Sequence, residues 1–233
     1  MITAKELVLT ARLFDEMKTL ARPLLARHSY PFEVLPHLAK FIVELGEQLP
    51  PSQYDRVGNH VWIARDAVVF ESADIVGPAI IGPGCQLRTG ALIRGSVLVG
   101  EGCVIGNSTE LKNSILFDGV QLPHYNYVGD SILGQGAHLG AGAVISNLKN
   151  DRTHVKISLP REKIDTGLRK CGAFLGANVQ VGCHAVLNPG TVVGEQTLIY
   201  PLCSVRGVVL PRRIVKPDGV AEQRNQADQT GEE

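Results

Sequence analysis

From Ile63 onward an aliphatic residue recurs at every sixth position: Ile63, Val69, Ile75, Ile81, Leu87, Ile93, Val99, Ile105 and Leu111. The fourth residue after each is small or aliphatic: Ala67, Ala73, Ala79, Cys85, Ala91, Val97, Cys103, Thr109 and Ile115. A second array runs Leu175, Val181, Leu187, Val193, Ile199 and Val205, with Leu133, Leu139 and Ile145 keeping the spacing between the two. A period of six is neither the 3.6 of an amphipathic helix nor the 2 of an isolated strand. It describes a triangular prism in which three short strands, one per hexad, make a coil. The aliphatic residue points inward and the small residue lets the chain turn the corner. Coils stacked at the inter-strand spacing of about 4.8 Å complete one another's hydrogen bonds.

The chain ahead of the first hexad reads differently. Thr3 and Glu6 have capping-box spacing, and Leu7, Phe14, Met17, Leu20 and Leu24 share one face of a predicted helix. A second helix is predicted over 36–45, carrying Leu38, Phe41, Ile42 and Leu45 and stopping near Gly46 and Pro50. The expected organisation is a helical head over 1–58, the prism over 59–215, and a polar tail over 216–233, disordered at least in part. The head's apolar stripe is expected to pack on the first coils or on a neighbouring subunit.

Composition supports this division. There are 25 Gly but only 6 Phe, 5 Tyr and 1 Trp, and Phe14, Tyr30, Phe32, Phe41, Tyr54 and Trp62 all precede the first complete hexad. A narrow prism has no room for stacked rings. The 23 basic and 23 acidic side chains cancel, which removes the electrostatic footprint of a nucleic-acid binder. No apolar run is long enough to span a bilayer, and charged residues interrupt any N-terminal signal sequence. The five cysteines have no metal-ligand spacing and suit a reducing compartment. The expectation is a soluble cytoplasmic protein with no membrane or nucleic-acid partner and no metal.

Two stretches interrupt the repeat. Residues 117–132 place His124, Tyr125, Tyr127 and Asp130 where small and aliphatic residues belong. Residues 147–170 are polar and basic: Lys149, Arg152, His154, Lys156, Arg161, Lys163, Arg169 and Lys170 face only Asp151, Glu162 and Asp165. Arg94 and Lys112 are one coil apart in the same position of the hexad, so they stack on one face. Two like charges that close call for a bridging anion, or for neutralisation by Glu110 or Glu101. With the basic stretch nearby, the first alternative points to a phosphate. An imidazole titrates near neutrality, so His124 is either a general base or a structural residue.

The order Arg94, Gly106-Asn107, Glu110-Leu111-Lys112, His124-x-x-Tyr127-x-Gly129-Asp130, Gly140-Ala141-Gly142 and Asn147 resembles the hexapeptide-repeat acyltransferases. The resemblance is to the acetyltransferase domain of the bifunctional N-acetylglucosamine-1-phosphate uridyltransferase/glucosamine-1-phosphate N-acetyltransferases. It is clearest over 93–147. It implies a left-handed parallel β-helix, acetyl-CoA as acyl donor, and a homotrimer with sites at subunit interfaces. By the resemblance, Arg94 and Lys112 hold a sugar phosphate, His124 deprotonates the amine, and Tyr127 and Asn147 position the sugar. Glu110, Asp130, Lys149, Arg152 and Lys156 are candidates for orienting or phosphate contacts, and residues 175–205 for a coenzyme face.

Two positions depart from the family pattern. His138 stands where the family has a sugar-contacting asparagine, and Thr153 where it has a phosphate-binding lysine. Neither the helical head nor any Gly-rich opening matches a nucleotidyltransferase domain, so uridylyl transfer is not expected. Hexapeptide carbonic anhydrases need a pair of histidines five apart, which His28, His37, His60, His124, His138, His154 and His184 do not supply. Two alternatives stay open: a different sugar or nucleotide-sugar acceptor, and a non-catalytic sugar-phosphate-binding or assembly module on the same scaffold.

Overall fold

The computed structural model describes residues 2–14, 17, 19–219 and 221–223. The chain is mainly β, a parallel solenoid of about nine turns of the left-handed β-helix kind. Each coil contributes a strand to three faces. The first face stacks Val61–Ala64, Ala79–Ile81, Val97–Val99, 114–116, 131–133, Ala173–Leu175, Thr191–Val193 and Val208–Val209. The second runs from Val68–Val69 through Gln121–His124 and His138–Leu139 to Arg213–Val215. The third runs from Asp74–Val76 through Leu92–Arg94, 110–112 and 127–129 to Ser204–Val205. The hexad aliphatics fill the interior: Ile81, Leu87, Ile93, Val99, Ile105 and Leu111 are fully buried in one cluster. No aromatic ring enters that cluster.

The first interruption of the repeat is a correction to the sequence reading. Residues 117–132 do not break the coil; they form regular strands whose register has slipped by one. Ile93 lies opposite Leu111, eighteen residues on, but Leu111 lies opposite Val128, only seventeen on. The lost residue is at the corner between the third and first faces. Two residues, Gly95 and Ser96, turn that corner in one coil; Asn113 alone turns it in the next, and Asp130 in the one after. All four have positive φ, between 47° and 80°. Asparagine and aspartate accept this left-handed conformation more readily than other side chains, so a single residue suffices there.

The second interruption leaves the solenoid at this same corner. Lys156–Ser158 and Lys163–Asp165 form an antiparallel hairpin, and the coils resume beyond it, with Val144 opposite Val186. The stretch is polar only on its outer side. Val155 and Ile157 are fully buried, in one cluster with Cys171, Phe174 and Val192.

The head differs from the two helices expected. Its first part is three single turns, Ala4–Leu7, Thr10–Leu13 and Arg22–Leu25. The helix stops because Leu9 is extended, which frees the Thr10 N–H to donate to the Ser29 carbonyl at 2.8 Å. The capping box does form: Thr3 Oγ1 accepts from the Glu6 N–H and Glu6 Oε2 from the Thr3 N–H. The second helix is Leu38–Gly46, preceded by a 3-10 helix over Pro31–His37. The head's apolar side chains, among them Leu7, Phe14, Leu25, Leu35, Leu38 and Ile42, are buried with Trp62, Ile80, Leu98, Ile115 and Ile132. These last five are the outward row of the first face. Head and hairpin together cover that face, and Lys5 and Glu162 join them by an ion pair of 3.0 Å. At the other end Ala221–Gln223 pairs antiparallel with Arg213–Val215, so ordered chain continues past the expected boundary at 215. Most of the predicted disordered tail, 224–233, lies outside the described residues.

The head's grip on the solenoid depends on Gly46, where a Cβ would run into the six-membered ring of Trp62. That ring is itself held under the Arg56 guanidinium, 5.4 Å from its centroid. Gly46→Ala is expected to destabilise the fold by about 1–3 kcal/mol through overpacking, despite alanine's better helix propensity, as a lower midpoint of urea unfolding.

Candidate active site

Parallel stacking converts sequence spacing into proximity. Asn113, Asp130 and Asn147 are seventeen apart and occupy equivalent corner positions in three successive coils. They form a hydrogen-bonded ladder: Asn113 Nδ2 donates to Asp130 Oδ1 at 2.8 Å and Asn147 Nδ2 to Asp130 Oδ2 at 2.5 Å. Asp130 is only 5% exposed and Asn147 9%, so two amides replace the water that a carboxylate would otherwise need. The Asn147 amide also donates to Tyr127 Oη at 3.1 Å. Gly129 makes room for that contact, because a Cβ there would lie 2.6 Å from both Asn147 Nδ2 and Tyr127 Oη. Burial raises the phenol pKa of Tyr127, and the Asp130 charge adds to the effect.

Tyr127 lies opposite Glu110 on the third face, and the pairing of Leu111 with Ile93 puts Lys112 beside Arg94. The two alternatives for this pair are resolved unevenly. Arg94 Nη1 is neutralised by Glu110 Oε1 at 2.5 Å, which raises the arginine's pKa. Lys112 has no ion pair among the described residues. The third face therefore presents one compensated and one uncompensated cation beside a tyrosine and an asparagine whose orientations are set.

His124 stands at the other edge of the same face, at the corner with the second. It is exposed, but its backbone is clamped. Its N–H donates to Asn126 Oδ1 at 3.3 Å and its carbonyl accepts from the Gly142 N–H at 3.1 Å. Asn126, 2% exposed, sends Nδ2 to the carbonyls of Gly140 at 2.8 Å and Ala143 at 3.1 Å. It takes the inward corner position that Thr109 and Ala143 hold in the flanking coils.

The remaining predicted residues are not gathered at this face. His138 lies opposite Gln121 on the second face, half-buried, and burial lowers its pKa. Arg152 is exposed in a left-handed turn (φ 57°) and Lys156 faces Asp165 at 3.4 Å. Lys149 bonds to Asp151 at 3.1 Å and to Thr153 Oγ1 at 2.5 Å. Lys149 also lines a cavity of about 300 Å³ with Ser146, Asn188 and Arg206. Sequence reasoning missed Asn113 and Asn126, although the spacing 113–130–147 was there to be read. Among the described residues no group of three or more His, Cys, Asp or Glu is placed to hold a metal ion, and no helix is long and apolar enough to cross a membrane.

Coils of this kind, with hexad aliphatics inside and polar residues stacked in rows outside, define a hexapeptide-repeat solenoid. The relatives are more particular. A family model described as the GMPPB C-terminal domain matches residues 75–158, the span that contains the whole ladder. The bifunctional sugar-1-phosphate nucleotidylyltransferase/acetyltransferase of Sulfurisphaera tokodaii is 40% identical over 96 residues, 41% of this chain and 24% of that protein. The bifunctional protein GlmU of Nitratidesulfovibrio vulgaris is 33% identical over 170 residues, 67% and 35% of the two chains. This chain thus spans about a quarter to a third of the length of these relatives. A hexapeptide transferase family protein from Anaplasma phagocytophilum superposes with a TM-score of 0.42 at 16% identity, covering 72% of this chain and 82% of that one. The similarity to the bifunctional enzymes that the sequence indicated is thereby shown.

Two expectations follow. Asn126→Ala deprives two buried carbonyls of a donor and should cost about 1–3 kcal/mol, measured by urea unfolding. For His138, burial lowers the folded pKa below its ordinary value of 6.5. As pH falls through 6.5 the unfolded chain therefore takes up the proton first, and stability declines between 6.5 and the lowered value. His138→Gln should remove that part of the decline, read from unfolding midpoints of both proteins between about pH 5 and 7.

Proposed function

We propose that the chain is an acetyl-CoA-dependent N-acetyltransferase for an amino-sugar phosphate, with glucosamine-1-phosphate the first choice of acceptor. The observation that carries this reading is the third face. The uncompensated Lys112 ammonium, next to the Arg94–Glu110 pair, lies one strand from Tyr127 on the same face, and the ladder locks Tyr127 to Asn147 at the corner of the next coil. A phosphate seated on Lys112 and Arg94 places the sugar toward Tyr127 and Asn147, whose hydroxyl and amide suit sugar hydroxyls. The amine is then directed toward the edge that carries His124.

An ammonium has no lone pair, so it must lose a proton before it attacks a thioester. His124 accepts that proton, the C–N bond forms at the acetyl carbonyl, the C–S bond breaks, and the nitrogen, which keeps one hydrogen in the amide, releases its other proton to solvent. The departing CoA thiolate recovers the proton from the imidazolium, and CoA leaves as the free thiol. The relatives' names include an acetyltransferase acting alongside sugar-1-phosphate nucleotidylyl transfer, which supports this substrate class. In this reading the protein works in the cytoplasm as a homotrimer. Acetyl-CoA lies along the prism wall between subunits, on residues 175–205. His138 meets the acceptor only over a prism corner or from a neighbouring copy.

A second reading keeps the transfer and changes the acceptor to another amino sugar or nucleotide sugar. It is favoured by His138, whose pKa burial lowers, and by Thr153, which stands where the family pattern has a lysine.

Incubation with acetyl-CoA and glucosamine-1-phosphate should release free thiol. His124→Ala should lower the rate by about 10²–10⁴-fold, and Lys112→Ala should chiefly raise KM for the sugar phosphate. Undiminished activity in both variants overturns the assignment. Faster turnover of an unphosphorylated or nucleotide-linked amine selects the second reading. Binding without turnover across such a panel would leave only a non-catalytic module.

A further inference from the structure

The helical head covers one face of the solenoid, and packing accounts for its inner side. Its outer side carries a feature that packing does not require. A cavity of about 250 Å³ opens there, lined by Leu24, Arg27, His28, His37, Lys40, Phe41 and Glu44. The rings of His28 and His37 stack in it with centroids 5.4 Å apart and planes within 28°. His28 Nδ1 lies 2.9 Å from the Leu24 carbonyl. A carbonyl only accepts, so Nδ1 carries the hydrogen and Nε2 is the atom left to take up a proton.

The charges around the two rings come from every element that builds the cavity. Arg27 follows the turn Arg22–Leu25, His37 ends the 3-10 helix, and Lys40 and Glu44 project from Leu38–Gly46. Glu44 is the single carboxylate, and it is already engaged with Lys40 at 3.6 Å. Among the described residues Arg27 and the two imidazoles therefore have no carboxylate of their own. Two stacked imidazolium rings beside a guanidinium repel one another unless a multivalent anion lies between them.

We propose that this cavity of the head is a binding site for a dianionic phosphoryl group, free or as a monoester, held by Arg27, His28, His37 and Lys40 over the apolar floor of Leu24 and Phe41. The site is separate from the third face and does not depend on the acyl-transfer reading. It gives the head a recognition role in addition to its packing role.

The test is a pH titration of the histidine Cε1–H resonances of the full chain, in inorganic phosphate and in sodium chloride of matched ionic strength. His60 and His184, remote in sequence from the cavity and from the basic stretch, serve as internal references. Phosphate should raise the midpoints of His28 and His37 by about half a unit or more and leave the references in place. The rise should vanish in the Arg27→Ala/Lys40→Ala variant, whose exposed substitutions leave the fold intact. Glycerol phosphate in a parallel titration separates the two sources, the larger rise marking the free ion or the ester as the ligand. Equal midpoints in phosphate and chloride, or a rise that persists in the double variant, overturns the proposal.

Discussion

A coil that closes in three strands must return to its own hydrogen-bonding partner after every turn, so the number of residues at each corner sets the register of all the coils above it. In this molecule one corner changes its count. Gly95 and Ser96 share the turn from the third face to the first in one coil, whereas Asn113 and then Asp130 make it alone. The shortened turn stacks Asn113, Asp130 and Asn147 and places a buried carboxylate between two amides. The placement of the Asn147 amide, the direction of the Tyr127 hydroxyl and the point at which the basic hairpin departs all follow from that corner.

The carboxylate at the centre of the ladder is satisfied without a cation. A lysine or arginine in the same place would have cancelled the charge but added a bulky, flexible chain to a corner that one residue has to turn. Amides fit there, and each has an oxygen and a nitrogen to dispose of. The arrangement leaves Lys112 on the surface without an internal counter-charge, while Glu110 is taken by Arg94. The buried carboxylate stays with its amides, and among the described residues the half-buried Lys112 has no ion pair.

The three faces of the prism are unlike in a second respect. The first has an apolar outer row and is covered within the chain by the head and the hairpin. The second and third mix polar residues such as Gln121, Glu110 and Lys112 with aliphatics such as Leu92 and Leu198 in their outward rows, and the candidate site lies on the third and its two edges. The head thus leaves the chemistry-bearing faces clear, and its stacked histidines lie on the side turned away from the solenoid's own packing.

The period of six, read from residues such as Ile81, Leu87 and Ile93, determined the prism, its parallel strands and its exclusion of aromatic rings, because inward burial recurs once per strand whatever the corners do. The same arithmetic placed Arg94 beside Lys112. It did not show that Glu110 would close on Arg94, because an ion pair depends on which side chains reach across a strand rather than along it. Residues 117–132 read as a break in the repeat because a one-residue deletion shifts every later position and imitates the loss of the pattern. The first helix read as continuous because its apolar spacing was sound, but Thr10 had a better partner in Ser29, distant in sequence. Only the tertiary structure decided these points, and also that His138 lies round a corner from Tyr127. Each of them depends on contacts between coils or between head and solenoid, and a one-dimensional pattern holds only the contacts within one strand.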